Sequence, residues 1–201
     1  MGALEVKFTL PTWVDGFTRG YRGGLATTRE RMRFVIELAR QNVIHCTGGP
    51  FAAAVFDAEG ALVAPGVNIV VPAGCSLLHA EMTALALAQK RTGTHDLSAA
   101  AGAPFELVSS AEPCAMCLGA IPWSGVGHLV CGARDEDVRR IGFDEGAKVD
   151  DWARALEKRG ITVTPDVVRD EAAAVFDLYV QSGGLIYNAG RTLAAPKKER
   201  R

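Results

Sequence analysis

The chain has 201 residues, 48% of them hydrophobic, with 22 Lys and Arg against 23 Asp and Glu and a net charge of −1. This length and composition suit one soluble globular domain with a real core and exclude a disordered chain. The balanced charge speaks against a protein that lives on phosphate backbones, and no apolar run reaches the roughly 18 residues needed to span a bilayer.

Residues 1–27 are rich in Gly and carry Pro11, and they read as an irregular N-terminal extension. Thr28-x-x-Arg31 then opens a helical pattern in which Met32, Val35, Ile36, Ala39 and Val43 recur at three- and four-residue spacing, stopped by Gly48, Gly49 and Pro50. Phe51 to Phe56 reads as a strand, Ala58-Glu59-Gly60 as a hairpin turn, and Leu62 to Val71 as a second strand. A loop over Pro72 to Leu78 leads into a helix over His79 to Lys90. A third strand over Phe105 to Ser109 precedes a helix from Pro113, placed in its first turn, to about Trp123. His128 to Ala133 is a fourth strand, followed by short helices over Glu136 to Ile141 and Val149 to Arg159. Ile161 to Thr164 is a fifth strand and Asp170 to Gln181 a final helix. Gly183 and Gly184 then release a C-terminal tail. This alternation predicts a three-layer α/β/α sandwich around a mixed five-stranded sheet. The domain is expected over 28–182, with the tail over 183–201. The basic end, Lys197, Lys198, Arg200 and Arg201, reads as a solvated tail.

The chemistry lies in two short segments, His79-Ala80-Glu81 and Pro113-Cys114-Ala115-Met116-Cys117. Cys114 and Cys117 stand three apart at a predicted helix start, so both sulfurs share one face, and the electropositive helix end favours thiolate. His79 stands at another predicted helix start. If the two helices lie side by side, one imidazole and two thiolates offer three corners of a tetrahedron to one Zn²⁺, with the fourth left for water. Zinc lowers the pKa of bound water from 15.7 to about 7. Glu81, two residues from His79, is placed to move protons by general acid–base catalysis. Plain alternatives stand beside this. The Cys pair alone reads as a redox motif, and a structural zinc site would draw a fourth ligand from Cys75, Cys131 or His128. The remaining cysteines, 46, 75 and 131, read as small buried hydrophobes. An odd cysteine count and the lack of a signal-peptide pattern over Met1 to Val14 point to a cytoplasmic protein with reduced thiols.

The pattern H-x-E…P-C-x-x-C is the signature of zinc nucleobase deaminases. The chain resembles the cytidine deaminase-like superfamily and, within it, the bacterial guanine deaminase branch. Gly48-Gly49-Pro50-Phe51, Gly66-Val67-Asn68, Cys117-Leu118-Gly119-Ala120-Ile121-Pro122-Trp123 and Ile141-Gly142-Phe143-Asp144-Glu145 carry the narrower likeness. The resemblance implies a hydrolytic deaminase that releases ammonia from a free amino-substituted heterocycle. Guanine-type bases and s-triazines such as ammeline or 5-azacytosine are the candidates. It further implies that His79, Cys114 and Cys117 bind zinc and that Glu81 shuttles protons. Asn68 and the N–H of Ala80 would hold the base, and Phe51 and Trp123 would wall the pocket. Glu145, with Asp144, would grip the amino side and pass a proton, and Tyr187 would act as a lid. It implies a homodimer. Phe51 and Trp123 read equally as core, Asn68 as a turn cap, and Asp144-Glu145 as a solvated loop. The loop Gly74-Cys75-Ser76-Leu77-Leu78 replaces the Asp-Pro-Thr of many relatives, and a pocket narrowed by Leu77 and Leu78 would prefer a smaller ring.

Two rival functions remain at this point. A tRNA adenosine deaminase would need a basic surface for RNA, and the acidic run Asp135-Glu136-Asp137 and the balanced charge weigh against nucleic acid. A non-enzymatic zinc module would fill all four ligand positions and give Glu81 no role.

Overall fold

The computed structural model describes residues 5–188 and 190–194, so the basic cluster at 197–201 lies outside the described residues. Among the described residues, α1 spans Trp13–Gly20, α2 Thr28–Ile44, β1 Ala52–Phe56 and β2 Leu62–Val67. A one-turn helix α3 (Val70–Ala73) leads to α4 (Ala80–Thr92), β3 (Glu106–Ala111), α5 (Ala115–Ser124) and β4 (His128–Ala133). The chain continues through α6 (Asp135–Arg140), α7 (Trp152–Glu157), β5 (Thr162–Thr164) and α8 (Arg169–Gln181), and closes with the hairpin β6 (Leu185–Asn188) and β7 (Arg191–Ala194).

The five-stranded sheet has the order β2-β1-β3-β4-β5. β1 runs antiparallel to β2 and β3, whereas β3, β4 and β5 are parallel, so the sheet is mixed as expected. Side chains alternate across it with the period of two that a pleated strand imposes. Ala52, Ala54 and Phe56 of β1, with Val108 and Val130, enter the core beneath α2 and α8. Ala53 and Val55, with Leu107 and Leu129, enter the second core beneath α4 and α5. Both faces are therefore covered, giving the expected three-layer α/β/α sandwich.

Several boundaries differ from the sequence reading, each for a local reason. Helix α2 opens at Thr28 as Thr28-x-x-Arg31 suggests, with a cap the sequence reading did not name. Thr27 is the cap: its hydroxyl accepts the Glu30 N–H, and the Glu30 carboxylate accepts the Thr27 N–H, a reciprocal capping box. Pro113 stands outside α5, whose N-cap is Cys114, and Pro122 lies inside the helix near its end. The second strand stops at Val67, because Asn68 turns the chain and its Oδ1 accepts the Val70 N–H that starts α3.

The largest difference is at the N-terminus. Residues 13–20, taken from sequence as irregular, form a helix that docks on α2. Phe17 stacks on Phe34 with ring centroids 5.6 Å apart, and Tyr21 meets the same ring edge-on at 5.0 Å. Val14 is buried. Trp13, Phe17 and Tyr21 recur every four residues and form one helical stripe.

Candidate active site and zinc centre

Two helix starts meet below the carboxyl end of β3. His79 is the N-cap residue of α4 and Cys114 the N-cap residue of α5. Gly66 of β2 makes the close approach of α4 possible: a Cβ there would stand 2.4 Å from the carbonyl oxygen of Ala80 and 2.5 Å from the Ala84 nitrogen. The crevice outside the carboxyl ends of parallel strands, where helix N-termini point, is the usual ligand site in such sheets.

His79, Cys114 and Cys117 each offer a ligand atom, and these atoms all lie within 4.8 Å of one another. The His79 Nδ1 is 3.4 Å from the Cys114 Sγ. Tetrahedral zinc with ordinary Zn–N and Zn–S bonds separates two such ligands by about 3.5 Å. One nitrogen and two sulfurs, buried and closely spaced, are a donor set that zinc takes. A hydrogen bond from Cys117 is the largest influence on the Cys114 thiol; with His79 beside it, and against the effect of burial, it holds that thiol down to about 4. The donating Cys117 thiol, itself buried, is pushed up. For His79, burial works against the charged ring, but the Cys114 contact and the Glu81 carboxyl raise its pKa.

Among the described residues no fourth His, Cys, Asp or Glu joins this group. Cys131 is buried in the core under α4 and α5. His128 contacts Thr162 at the other end of β4. Cys75 packs against the opposite core. The three-ligand set leaves a coordination position open, as catalytic zinc sites do.

His79 and Cys114 line a cavity of about 370 Å³. Glu81 lines it too and is 7% exposed. Burial, and then the charge of Cys114, raises its carboxyl above the ordinary range. Asn68 lies on the opposite side, 1% exposed. Its Oδ1 accepts the Val70 N–H, and its side chain also hydrogen-bonds the Tyr187 hydroxyl. Ala80 is buried, and its N–H, the first of α4, has no partner within the helix.

Glu145 reaches the cavity from the segment after α6 and is 7% exposed. Its carboxyl is pushed up to about 8, by burial first and then by the charges of Cys114 and Glu81. Asp144 alternates with it: it sits at the rim, largely exposed, where its Oδ1 accepts the Gly146 N–H. Phe51 forms a wall, edge-on to Phe143 at 5.2 Å. Tyr187 of β6 closes one side, edge-on to Phe143 at 5.1 Å. Burial pushes its hydroxyl well above the usual phenol range, against a hydrogen bond with the Asn68 side chain.

Trp123 does not join these residues. It is 81% exposed, at the far end of α5 from Cys114. Leu77 is 58% exposed and Leu78 points into the core under α2, so neither narrows the cavity; of that loop, Ser76 lines it. Among the lining residues that escaped the sequence reading, three make contacts that shape the site. Phe143 packs between Phe51 and Tyr187. Asn188 clasps the tail to the site, its Oδ1 accepting the Asp144 N–H and its Nδ2 donating to the Gly142 carbonyl. Glu112, next to Pro113-Cys114, pairs with Lys148 at 3.3 Å. The apolar–polar alternation of Ile141 to Glu145 signalled the placement of Phe143. A glutamate before a proline carries no comparable signal.

Residues 26–133 match the family of the cytidine and deoxycytidylate deaminase zinc-binding region. A guanine deaminase of Bacillus subtilis is 33% identical over 130 residues, covering 65% of this chain and 80% of the relative. A solved guanine deaminase from Nitrosomonas europaea is 48% identical with a TM-score of 0.81, covering 89% of this chain and 98% of that one. The protein NE0047, solved in complex with 2,6-diaminopurine, is 50% identical with a TM-score of 0.83, over 92% of this chain and 97% of that one. With one zinc ion fitting its His-Cys-Cys group, the chain belongs to the cytidine and deoxycytidylate deaminase zinc-binding family and is a hydrolytic deaminase acting on C–N bonds.

Proposed function

We propose that the protein deaminates a free guanine-type base. The observation that carries this is the placement of two buried polar groups, the Asn68 amide and the Glu145 carboxyl, on the same cavity as Glu81, His79 and Cys114. A flat base slides between aromatic edges and needs one donor for its carbonyl and one carboxyl for its amino edge. Asn68 supplies the first and Glu145 the second. The similar proteins support the reading, since two are named guanine deaminases and NE0047 was solved with a diaminopurine. An s-triazine is the smaller alternative, and the exposed Leu77 and the core-facing Leu78 leave it without a narrowed pocket.

Zinc supplies the activated water when bound. Glu81 takes the proton of that water and delivers it to the ring nitrogen beside the amino-bearing carbon. The water oxygen would bond to that carbon, and Glu81 would pass a second proton to the amine. The C–N bond breaks, ammonia leaves, and the oxygen remains as the new carbonyl. Phe51, Phe143 and Tyr187 exclude bulk water from this exchange, with Tyr187 on the tail that starts at 183 acting as the lid. Asp144 orders the rim.

The protein is further read as a cytoplasmic homodimer. Free zinc-binding thiols suit a reducing compartment, and α5, a zinc-side helix, exposes the Trp123 ring.

Ammonia release from guanine, ammeline, 5-azacytosine, cytosine, adenine, guanosine and cytidine tests the reading. Turnover of guanine above the others is expected. Turnover only of the triazines, or only of nucleosides, would overturn it.

A further inference from the structure

Asn68 does not hold its position alone. A single line of hydrogen bonds reaches it from the N-terminal helix. The Trp13 Nε1 donates to the Thr47 Oγ1 at 3.0 Å. That hydroxyl donates to the Asn42 Oδ1 at 2.7 Å. Asn42 then uses both amide hydrogens, one on the Gly49 carbonyl at 2.8 Å and one on the Asn68 carbonyl at 2.9 Å. The direction of the line is fixed chemically. An indole N–H is a donor only, so Thr47 must accept there and spend its own proton on Asn42. The Asn42 oxygen thereby becomes the acceptor, and its nitrogen must face the two carbonyls.

Every component is placed tightly. Asn42 is fully buried. Gly48 leaves no room for a side chain, since a Cβ would stand 1.8 Å from the Asn68 carbonyl oxygen. The Asn68 N–H is also spent, on the Phe51 carbonyl at 3.1 Å. The backbone of Asn68 is therefore clamped on both sides, and its side chain is aimed by the clamp.

We infer that Asn42 is a positioning residue for the substrate-facing amide of Asn68, and that Trp13 and Thr47 lock Asn42 in the orientation this requires. The inference rests on the reading of Asn68 as a base-binding residue. It gives the N-terminal helix a function: α1 is the outer end of the active-site support.

The test is a double-mutant cycle on zinc-loaded full-length protein, with guanine as the probe. Asn42→Asp keeps the shape but turns a donor into an acceptor against two carbonyls. Thr47→Val keeps the shape and removes the link to Trp13, and carries the test alone if the first variant does not fold. In the parent background, Asn42→Asp is expected to lower kcat/KM about tenfold or more and Thr47→Val about threefold, as lost hydrogen bonds do. In an Asn68→Ala background both effects are expected to shrink to within about twofold, because a residue acting only through Asn68 has nothing left to act on. Undiminished effects in that background would overturn the inference and leave the role of Asn68 intact. Full activity of Asn68→Ala itself would overturn the base-binding reading and the inference together.

Discussion

The carbonyl of Glu145 accepts the Ala115 N–H at 2.9 Å, which pins the segment carrying the Glu145 carboxyl to the first turn of the helix that carries Cys114 and Cys117. One backbone bond thus couples the position of a cavity carboxyl to that of two zinc ligands. It also explains why a residue 31 positions after Cys114 shares its electrostatics: the Cys114 charge is the second cause, after burial, of the raised Glu145 pKa.

That pKa has a consequence for stability. Below about pH 4.5, Glu145 is neutral in both folded and unfolded chains, and its burial carries no ionisation cost. Between about pH 4.5 and about pH 8 the unfolded chain releases the proton while the folded chain keeps it, so stability falls as pH rises, and above about pH 8 the loss is complete. Glu145→Gln removes this dependence. In chelated protein, urea denaturation should show the variant gaining stability over the parent across this window. A constant difference between the two would mean that Glu145 does not titrate there.

Glu81 is buried beside the zinc ligands but is not one of the three closely grouped donors. Glu81→Gln preserves shape and removes the proton carrier. Turnover should fall by about 100-fold or more, the scale of general acid–base catalysis, while metal analysis still finds one zinc per chain. Loss of zinc from the variant would make Glu81 a ligand instead.

The zinc donors come from two different helices, so the ion ties α4 to α5. An ion bound only by the folded state stabilises it by mass action. Chelation should lower the melting temperature by about 5 °C or more, since about 2–4 °C corresponds to each kcal/mol at this chain length. Cys117→Ala should start near the chelated value and respond little to chelator. An equal drop in parent and variant would show that the chelator acts elsewhere.

The zinc residues were legible because metal chemistry fixes their type and spacing, and both stand at helix starts that Pro113 and the preceding loop announce. The sheet was legible because its strands are short apolar runs between turn signals. Trp123 was placed on the pocket by the family likeness of the stretch from Cys117 to Trp123, and such a likeness says nothing about distance along a helix. Nine residues from Cys114 place it about 13 Å along the axis, and it ends exposed. Helix α1 was hidden by Gly16 and Gly20, which look like breakers, although the stripe of Trp13, Phe17 and Tyr21 was present. The tail hairpin β6–β7 escaped because four-residue strands carry almost no periodicity; its partner contacts, Tyr187 on Phe143 and Asn188 on Asp144, are long-range. The Trp13–Thr47–Asn42 line escaped for the same reason, since no local pattern pairs residues 34 apart.

Lys148 supports the site from behind and should prove costly to remove. Its side chain is only 8% exposed, and its Nζ lies 3.1 Å from Asp135 and 3.3 Å from Glu112, with the Trp152 ring centroid 5.4 Å away. The two carboxylates are themselves largely buried. Removing the cation strands Glu112 and leaves Asp135 with Arg139 alone, and breaking a buried pair in this way costs up to about 3–5 kcal/mol. Lys148→Met, which fills the space without charge, should lower the urea midpoint accordingly, with an unchanged slope if the unfolded state is unaffected. Adding Glu112→Gln to the same chain should recover part of the loss, because it removes the stranded charge. A single variant as stable as the parent would show that Asp135 is satisfied by its other partner, Arg139, and that Glu112 is solvated through the cavity. Recovery by the second substitution, in contrast, would identify uncompensated charge, rather than lost packing on Trp152, as the source of the instability.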